Sequence, residues 1–252
     1  MDLAVNGLLS GVPEGSTRYA RWSDLAKLPS SKLKLTGEFV PGEQEVTVVF
    51  LSDLWAALPR AAAADTVLAT CTDGYLSVYR SAFIKEFRPF LILAINGQGP
   101  EQWPPPGLTF NPAPFVISVA TAVVPGVAQL LDAGHKRPWG VTTITLARYE
   151  SAFAGFFSGR WAAASANAAA GRELWINSCA SCHHGPASSG TAGGTKSDRP
   201  FDVIAAHASH NAEYFKRYVR DPKGFVPTAK MEPHPHYSDS QLADLIAFLR
   251  AD

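Results

Sequence analysis

The sequence has few of the residues that bind metals through sulfur. Its 252 residues contain three cysteines and two methionines, one of which is Met1. A four-thiolate zinc site is therefore excluded. Long apolar runs are also missing: none approaches the roughly 20 residues that a membrane-spanning helix needs. The sequence accordingly predicts no membrane span.

An excess of charge of either sign is missing as well. Lys and Arg together number 22, and so do Asp and Glu, with 13 of each before residue 161 and 9 of each after it. A protein that binds nucleic acid normally carries a basic excess, so we expect no nucleic-acid partner. The chain is long enough, and apolar enough at 46%, to build two modest domains with real cores.

The chain does contain one short run with specific chemistry, Cys179-Ala180-Ser181-Cys182-His183. Two thiols one turn apart can form thioethers to the two vinyl groups of a porphyrin, and the adjacent imidazole can then bind the iron. The run predicts one covalently bound c-type haem, with His183 as the proximal ligand. Half of a zinc site and a thioredoxin-like dithiol are the alternatives. Zinc would need another thiol pair where the chain offers only Cys71, and a dithiol motif does not normally carry a histidine directly behind it.

Helices are predicted on both sides of this run. One leads from Ala168 through Gly171 into it, and a glycine inside a helix indicates the close approach of another backbone, here the last helix. That last helix begins with a capping box at Ser238. A further helix, Asn211 to Arg220, precedes Asp221-Pro222. Its inward residues are predicted to be Tyr214, Phe215, Tyr218 and Val219.

These features together resemble the small monohaem class I cytochromes c. The matching positions are Gly171, the Cys179–His183 run, the stretch 218–223, Lys230-Met231 and the stretch 242–249. The resemblance implies that Met231 is the distal iron ligand, and a thioether in that position holds haem at a high potential. His234 and His236 stay open as competing ligands. Pro200 resembles the family proline whose carbonyl orients the proximal histidine.

The first part of the chain is predicted to be β-rich, with short helices starting at Ser23 and Ser52 and a hairpin turn at Asp73-Gly74. We therefore predict an α+β protein: a β-rich mixed α/β domain at 1–150, a linker helix at 151–167 that packs through Phe153, Phe156, Phe157 and Trp161, and an all-α domain at 168–252. The predicted strands are 32–39, 45–50, 67–71, 75–79, 90–95, 115–121 and 141–147.

Three stretches of the first domain, 25–29, 69–75 and 90–97, resemble the sulfite-oxidase-like molybdopterin-binding fold. The resemblance implies that Cys71, in Cys71-Thr-Asp73-Gly74-Tyr75, would ligate molybdenum. An anionic pterin needs several positive donors, however, and no basic residues cluster around Gly-rich loops there. The nearest are Arg80, Lys85 and Arg88, which we interpret as a solvated face. We expect a domain without molybdopterin.

The sequence thus predicts a periplasmic electron-transfer protein with one haem c, whose first domain docks or scaffolds a redox partner protein. The alternative is a molybdenum-pterin oxidoreductase of the sulfite dehydrogenase type that passes electrons to its own haem, and a third hypothesis is a sensor that binds a small ligand at the iron. Residues 1–15 lack the basic-then-apolar pattern of a signal peptide, so we expect that a leader has been removed from a trimmed start.

Overall fold

The structure is a computed structural model that describes residues 1–37, 42–162, 165–186 and 191–251. The chain divides into two compact units, Met1–Tyr149 (unit 1) and Glu150–Asp252 (unit 2). The described strands all belong to unit 1, and the longest helices belong to unit 2. The protein is therefore of the α+β class, as predicted.

Unit 1 is built from strands joined by short helices. The α-helices are α1 (Trp22–Leu25), α2 (Leu51–Ala57) and α3 (Ser81–Phe87), and three 3₁₀ helices span Pro100–Gln102, Pro125–Gln129 and Ala133–Lys136. The strands are β1 (Asp2–Gly7), β2 (Arg18–Arg21), β3 (Ser31–Thr36), β4 (Glu43–Phe50), β5 (Thr66–Cys71), β6 (Leu76–Arg80), β7 (Phe90–Ile95), β8 (Val116–Ser118) and β9 (Val141–Ala147).

The strands form two sheets with the main core of the unit between them. One sheet has the order β2-β1-β9-β5-β6, in which β1 and β9 are parallel, and the other is the antiparallel sheet β3-β4-β7-β8. Successive side chains of a strand point to opposite faces. In β7, Leu91 and Leu93 enter the core shared with the first sheet, while Phe90 and Ile92 enter a second cluster. This strand is apolar throughout because both of its faces are covered.

Most predicted strands lie where the sequence places them. The predictions for 45–50, 67–71, 90–95 and 141–147 are confirmed, whereas 115–121 is reduced to the three residues of β8. β1 and β2 were not predicted. The end of the predicted strand 32–39 lies outside the described residues.

The helix starts in unit 1 differ from the prediction. The N-cap positions of α1 and α2 are held by Arg21 and Phe50, in extended conformation and without a side-chain cap, so Ser23 and Ser52 are not caps. Each helix follows a strand directly, and the last extended residue of that strand takes the capping position.

The predicted hairpin turn at Asp73-Gly74 is confirmed. Gly74 has a φ of +80°, which a residue with a Cβ adopts only at a cost. The Asp73 carboxylate accepts a hydrogen bond from the Tyr75 amide at 3.1 Å, and the Cys71 amide donates to the Tyr75 carbonyl at 2.9 Å. The turn therefore closes β5 on β6 and leaves Cys71 buried at its base.

Unit 2 is helical in its described residues. Two short 3₁₀ turns, Ala154–Phe156 and Gly159–Trp161, precede its first long helix, and a third, Cys179–Ser181, follows that helix. The α-helices are α4 (Tyr149–Ala152), which begins at the end of unit 1, α5 (Ala166–Asn177), α6 (Phe201–His210), α7 (Ala212–Arg220), α8 (Pro222–Phe225) and α9 (Asp239–Arg250).

The aromatic residues between 151 and 162 belong to the core of unit 2. Instead of the predicted linker helix, the structure has the end of α4 and two 3₁₀ turns. The ring of Phe156 lies 5.5 Å from that of Phe201 and 5.7 Å from that of Phe248. Trp161 also packs edge-on against Phe201, at 4.8 Å. The segment is thus an integral part of a packed domain.

Helices α5 and α9 are in backbone contact at Gly171. A Cβ built on Gly171 would lie 2.0 Å from the Asp244 carbonyl oxygen, so the predicted close approach is confirmed. The capping box at the start of α9 is also present, with Ser238 accepting from the Gln241 amide at 3.2 Å. In α7 the prediction is half right: Phe215 and Val219 are buried, but Tyr214 is 41% exposed.

Across the part of the chain that the structure describes, no helix has the length and apolar composition needed to span a bilayer.

Candidate functional site

The Cys179–His183 run lies on the turn that ends α5. Ser165 caps the start of α5, accepting from the Ala168 amide at 3.1 Å. After the helix, the Cys182 and His183 amides donate to the Cys179 carbonyl at 3.1 and 2.9 Å. Cys179, Cys182 and His183 are all half-buried. One short turn therefore carries both cysteines and the histidine.

A glycine-rich loop lies against the backbone of this turn. The Gly194 amide donates to the Ala180 carbonyl at 2.7 Å, and the Ser197 amide donates to the Cys182 carbonyl at 2.9 Å. A Cβ on Gly194 would lie 2.1 Å from the Ser181 carbonyl oxygen, and one on Gly193 would lie 2.7 Å from the carbonyl oxygen of His183. Only glycine allows this approach at both positions.

The same loop is tied to the start of unit 2. The Thr191 hydroxyl accepts a hydrogen bond from the Gly155 amide at 2.8 Å, and the Ala192 amide donates to the Ala152 carbonyl at 2.7 Å. The turn that carries the cysteines therefore lies between α5 and a loop that is itself hydrogen-bonded to the start of unit 2. Such support keeps a ligand-bearing turn rigid.

His183 is held in the neutral form. Its pKa is lowered from 6.5 to about 4, first by burial and then by the nearby positive charges of Arg199 and His184. Neutral imidazole is the form that binds iron. The ring lies 6.0 Å from that of Trp175, tilted by 41°.

The Nδ1 atom of His183 is buried and has no hydrogen-bond partner among the described residues. The predicted hydrogen bond from His183 to the Pro200 carbonyl is therefore absent, and this assignment is wrong. The Pro200 carbonyl instead accepts from the Val203 and Ile204 amides, at 3.1 and 3.3 Å. This carbonyl thus accepts hydrogen bonds from the first turn of α6, where the amides have no partner within the helix.

Met231 lies in the loop between α8 and α9, half-buried. The His234 amide in that loop donates to the Val219 carbonyl of α7 at 3.0 Å. Further along, Arg220 donates to the Tyr237 carbonyl at 2.8 and 3.0 Å and to the Asp239 carboxylate at 2.7 Å. The loop that carries Met231 is thus fastened to the end of α7.

The two competing histidines differ in exposure. His234 is buried and stacks on Tyr237, with ring centroids 4.8 Å apart and planes 18° apart. His236 is exposed and meets the same tyrosine edge-on, at 4.8 Å. Both imidazole rings therefore contact the ring of Tyr237, and Met231 takes part in neither ring contact.

The residues of unit 2 fit a c-type haem. The cysteine turn offers two thiols and a neutral imidazole, and the loop before α9 offers the thioether of Met231; these are ligand types that c-type haems use.

In unit 1, Cys71 is buried, and the basic residues nearest in sequence contact aromatic rings or solvent. The Arg80 guanidinium lies 4.3 Å from the ring centroid of Tyr149, and that of Arg88 lies 4.3 Å from the ring centroid of Phe50. Lys85 is exposed.

A buried lysine in unit 1 was missed by sequence reasoning. Lys136 is 6% exposed, and its ammonium donates to the Val78 carbonyl at 2.7 Å. Burial lowers its pKa from 10.5 to about 8, although Asp132 opposes the shift. The segment is held on β6 because Ser77 donates to the His135 carbonyl at 2.7 Å. Hydrogen bonds also join Tyr75 to His135 and Tyr79 to the Lys136 carbonyl.

Sequence reasoning also missed two features of the candidate haem site. The close contact of Gly193 and Gly194 with the cysteine turn had a signal in the sequence, namely two adjacent glycines in the loop. The bridge from Arg220 to Tyr237 and Asp239 had none, because a single arginine near a helix end is ordinarily solvated.

Comparison with known proteins agrees with this assignment for unit 2. Residues 166–249 match the family model described as cytochrome c oxidase, cbb3-type, subunit III. The match confirms the predicted resemblance of this segment to a cytochrome c domain. It covers the helices α5 to α9 up to Leu249, and so includes Cys179, Cys182, His183 and Met231.

No curated protein matches the chain. Among solved structures, the sulfane dehydrogenase SoxCD from Paracoccus pantotrophus is similar with a TM-score of 0.41 and 14% sequence identity. The likeness covers 58% of this chain and 38% of that one.

Proposed function

We propose that the protein is an electron carrier with one haem c covalently bound in unit 2. Cys179 and Cys182 form the thioethers, His183 is the proximal iron ligand and Met231 the distal one. The observation that carries the proposal is the turn after α5, where both cysteines and a neutral, half-buried histidine lie together within a segment that matches a cytochrome c domain.

The chain's own residues perform the supporting tasks. The haem, when bound, supplies reversible one-electron chemistry at its iron. Burial keeps His183 unprotonated and so able to remain a ligand at neutral pH. A thioether from Met231 favours the ferrous state and raises the potential. The bonds from Val219 and Arg220 to the Met231 loop hold that loop in place.

The remaining parts of the proposal concern location and partners. Covalent haem attachment is typical of exported proteins, so we place the protein in the periplasm. Unit 1, for which a sulfite-oxidase-like fold stays a prediction, then docks or scaffolds the redox partner protein.

The alternative, a molybdenum-pterin oxidoreductase, depends on Cys71 and on cationic groups near it. Arg80 and Arg88 are stacked on rings and Lys136 is hydrogen-bonded inside unit 1. These contacts favour a carrier over an enzyme, because an anionic pterin would need such cations for itself.

The attachment of haem is tested with cysteine variants made in a host that attaches haem to exported proteins. The wild type should retain one haem per chain after acid and organic-solvent extraction, because thioethers are covalent. Cys179→Ser/Cys182→Ser should retain none, while Cys71→Ser, the matched control, should retain the full amount. Extraction-resistant haem in the double variant would refute the proposal.

A further inference from the structure

Unit 1 contains a tyrosine and a histidine whose side chains are hydrogen-bonded to each other. The bond joins the Tyr75 hydroxyl to Nδ1 of His135. The two rings have centroids 6.0 Å apart and planes 13° apart, and both residues are half-buried. When the proton of the neutral imidazole is on Nε2, Nδ1 is free to accept the proton of the phenol. We call this pair the Tyr75–His135 dyad.

The backbone on both sides of the dyad is held by hydrogen bonds. The Tyr75 carbonyl accepts from the Cys71 amide at 2.9 Å, across the hairpin turn. The His135 carbonyl accepts from the Ser77 hydroxyl at 2.7 Å, and the His135 amide donates to the Asp132 carbonyl at 3.0 Å. The two segments are therefore fixed next to each other, which keeps the phenol and the imidazole in place without a ligand.

A carboxylate lies beside the imidazole. An oxygen of Asp132 is within 4.8 Å of a ring nitrogen of His135. The same carboxylate raises the pKa of Lys136, against the larger lowering by burial. A nearby negative charge favours the protonated form of an imidazole. Asp132 would therefore stabilise the positive charge that His135 acquires when it takes a proton from Tyr75.

Tyr79, on the next strand, shows what distinguishes the dyad from an ordinary tyrosine. Its hydroxyl is buried and donates to the Lys136 carbonyl at 3.1 Å. A carbonyl accepts a hydrogen bond but takes no proton near neutral pH, and burial raises the pKa of Tyr79. A phenol that loses an electron becomes a strong acid, so its oxidation is easy only where a base receives the proton. Tyr75 has such a base in His135, whereas the bond from Tyr79 ends on a group that is not one.

We propose that the Tyr75–His135 dyad is a redox-active site, at which Tyr75 gives one electron to a strong oxidant while its proton moves to His135. The O–H bond of Tyr75 breaks and an N–H bond forms at Nδ1 of His135. Tyr75 becomes a neutral tyrosyl radical, His135 becomes an imidazolium, and the oxidant is reduced by one electron. The oxidants of this class are high-valent iron–oxo species formed with peroxide and other one-electron acceptors of similar potential. The inference goes beyond the proposed function, because unit 1 supplies both residues and the haem takes no part in the step.

The site of oxidation is tested by flash photolysis of the full-length protein in the ferric state. A laser pulse generates tris(bipyridine)ruthenium(III) in the presence of pentaamminechlorocobalt(III), and freeze-trapped samples are measured by electron paramagnetic resonance. The wild type should give a tyrosyl signal that narrows when the protein is labelled with ring-deuterated tyrosine. Tyr75→Phe should lose most of this signal. The matched control is Tyr19→Phe, the same change at a tyrosine that is 66% exposed, and it should keep the signal.

The role of the imidazole is tested by the rate at which the tyrosyl absorption appears after the pulse. His135→Gln keeps a hydrogen-bond acceptor but cannot take the proton, so the rate should fall roughly a hundredfold, the size of a general-base contribution. The wild-type rate should be lower in D₂O, because a proton moves with the electron. In His135→Gly the rate should be low and should rise again with added imidazole, a rescue that a purely structural role of His135 does not predict.

Each comparison has an outcome that contradicts the proposal. A tyrosyl signal of full size in Tyr75→Phe would assign the oxidation to another tyrosine and overturn it. A radical on Tyr75 that forms equally fast in the wild type and in His135→Gln would show that the histidine is not the base, and would overturn it too. Amide hydrogen exchange of β5 and β6 peptides, unchanged from the wild type, establishes that the variants are folded. Because these measurements involve only unit 1, absence of covalent haem would refute the electron carrier and leave the dyad standing.

Discussion

Replacing Gly171 by alanine tests the contact of α5, the helix that leads into the Cys179–His183 turn, with α9. In an isolated helix this change is favourable by about 1 kcal/mol, because alanine has the higher helix propensity. In the structure, however, the new Cβ would lie 2.0 Å from the Asp244 carbonyl oxygen and 2.9 Å from the Leu245 Cα. Both obstacles are backbone atoms, so they move only if α9 moves.

The net effect is the difference between these two contributions. Overpacking of a well-packed interface typically costs about 1–3 kcal/mol, and a contact this short with main-chain atoms belongs at the upper end. Subtracting the propensity gain leaves a loss of about 2 kcal/mol in the free energy of unfolding of unit 2. For a domain of this size that corresponds to a fall in Tm of about 10 °C.

Hydrogen exchange measured by mass spectrometry reports this loss for unit 2 alone. Peptides from α5 and α9 should lose protection together in Gly171→Ala, since the two helices share the contact. The matched control is Ala170→Gly, at the exposed neighbouring position, which should cost about 1 kcal/mol through propensity alone. If Gly171→Ala instead stabilises the protein by the propensity gain, the proposed approach of the two helices is refuted.

Three further changes test other parts of the molecule. Met231→Ala should abolish the weak near-infrared band of thioether-bound ferric haem and lower the reduction potential; a wild type with a bis-histidine spectrum would contradict the ligand assignment. Lys136→Met should remove a pH dependence from unit 1. Burial lowers the Lys136 pKa from 10.5 to about 8, so the unfolded chain binds more protons between these values. The wild type should therefore gain about 2 kcal/mol in unfolding free energy from pH 7 to pH 10, relative to the variant in urea titrations. Protein made in a host able to insert molybdopterin should contain no molybdenum by elemental analysis, and stoichiometric metal that Cys71→Ala removes would favour the enzyme instead.

Local sequence patterns were sufficient for features that depend on neighbouring residues. The Cys179–His183 turn, the capping box at Ser238 and the Asp73-Gly74 hairpin are all defined by residues within a few positions of each other. Gly171 also predicted a contact with a segment that is distant in sequence. A glycine inside a helix lowers its stability, so its presence there indicates that another backbone packs closely against it. The strand β7 was predicted from the run 90–95 that ends at the Asn96-Gly97 turn signal.

Features that depend on distant partners were not predictable. Lys136 is buried with its ammonium donating a hydrogen bond to the Val78 carbonyl. The two residues are far apart in sequence, so no local pattern predicts this pairing. Tyr214 was expected inward because large aromatic residues are usually buried, yet Phe215 and Val219, one turn apart, form the buried side of α7 and leave Tyr214 outside it. Ser23 and Ser52 looked like caps, but strands running directly into α1 and α2 supplied the capping positions instead.

The position of β9 in its sheet has a consequence for how unit 1 is made. This strand is the last of the unit in sequence, yet it lies between β1 and β5, with Thr143 opposite Ala4 on one side and Thr70 on the other. Until β9 is made, β1 and β5 each have unpaired backbone groups along the edge that β9 covers in the finished sheet. Such non-local pairing folds slowly, and open edges invite association between chains. We therefore expect a chain that ends before β9 to expose both edges and to associate more readily than the full chain.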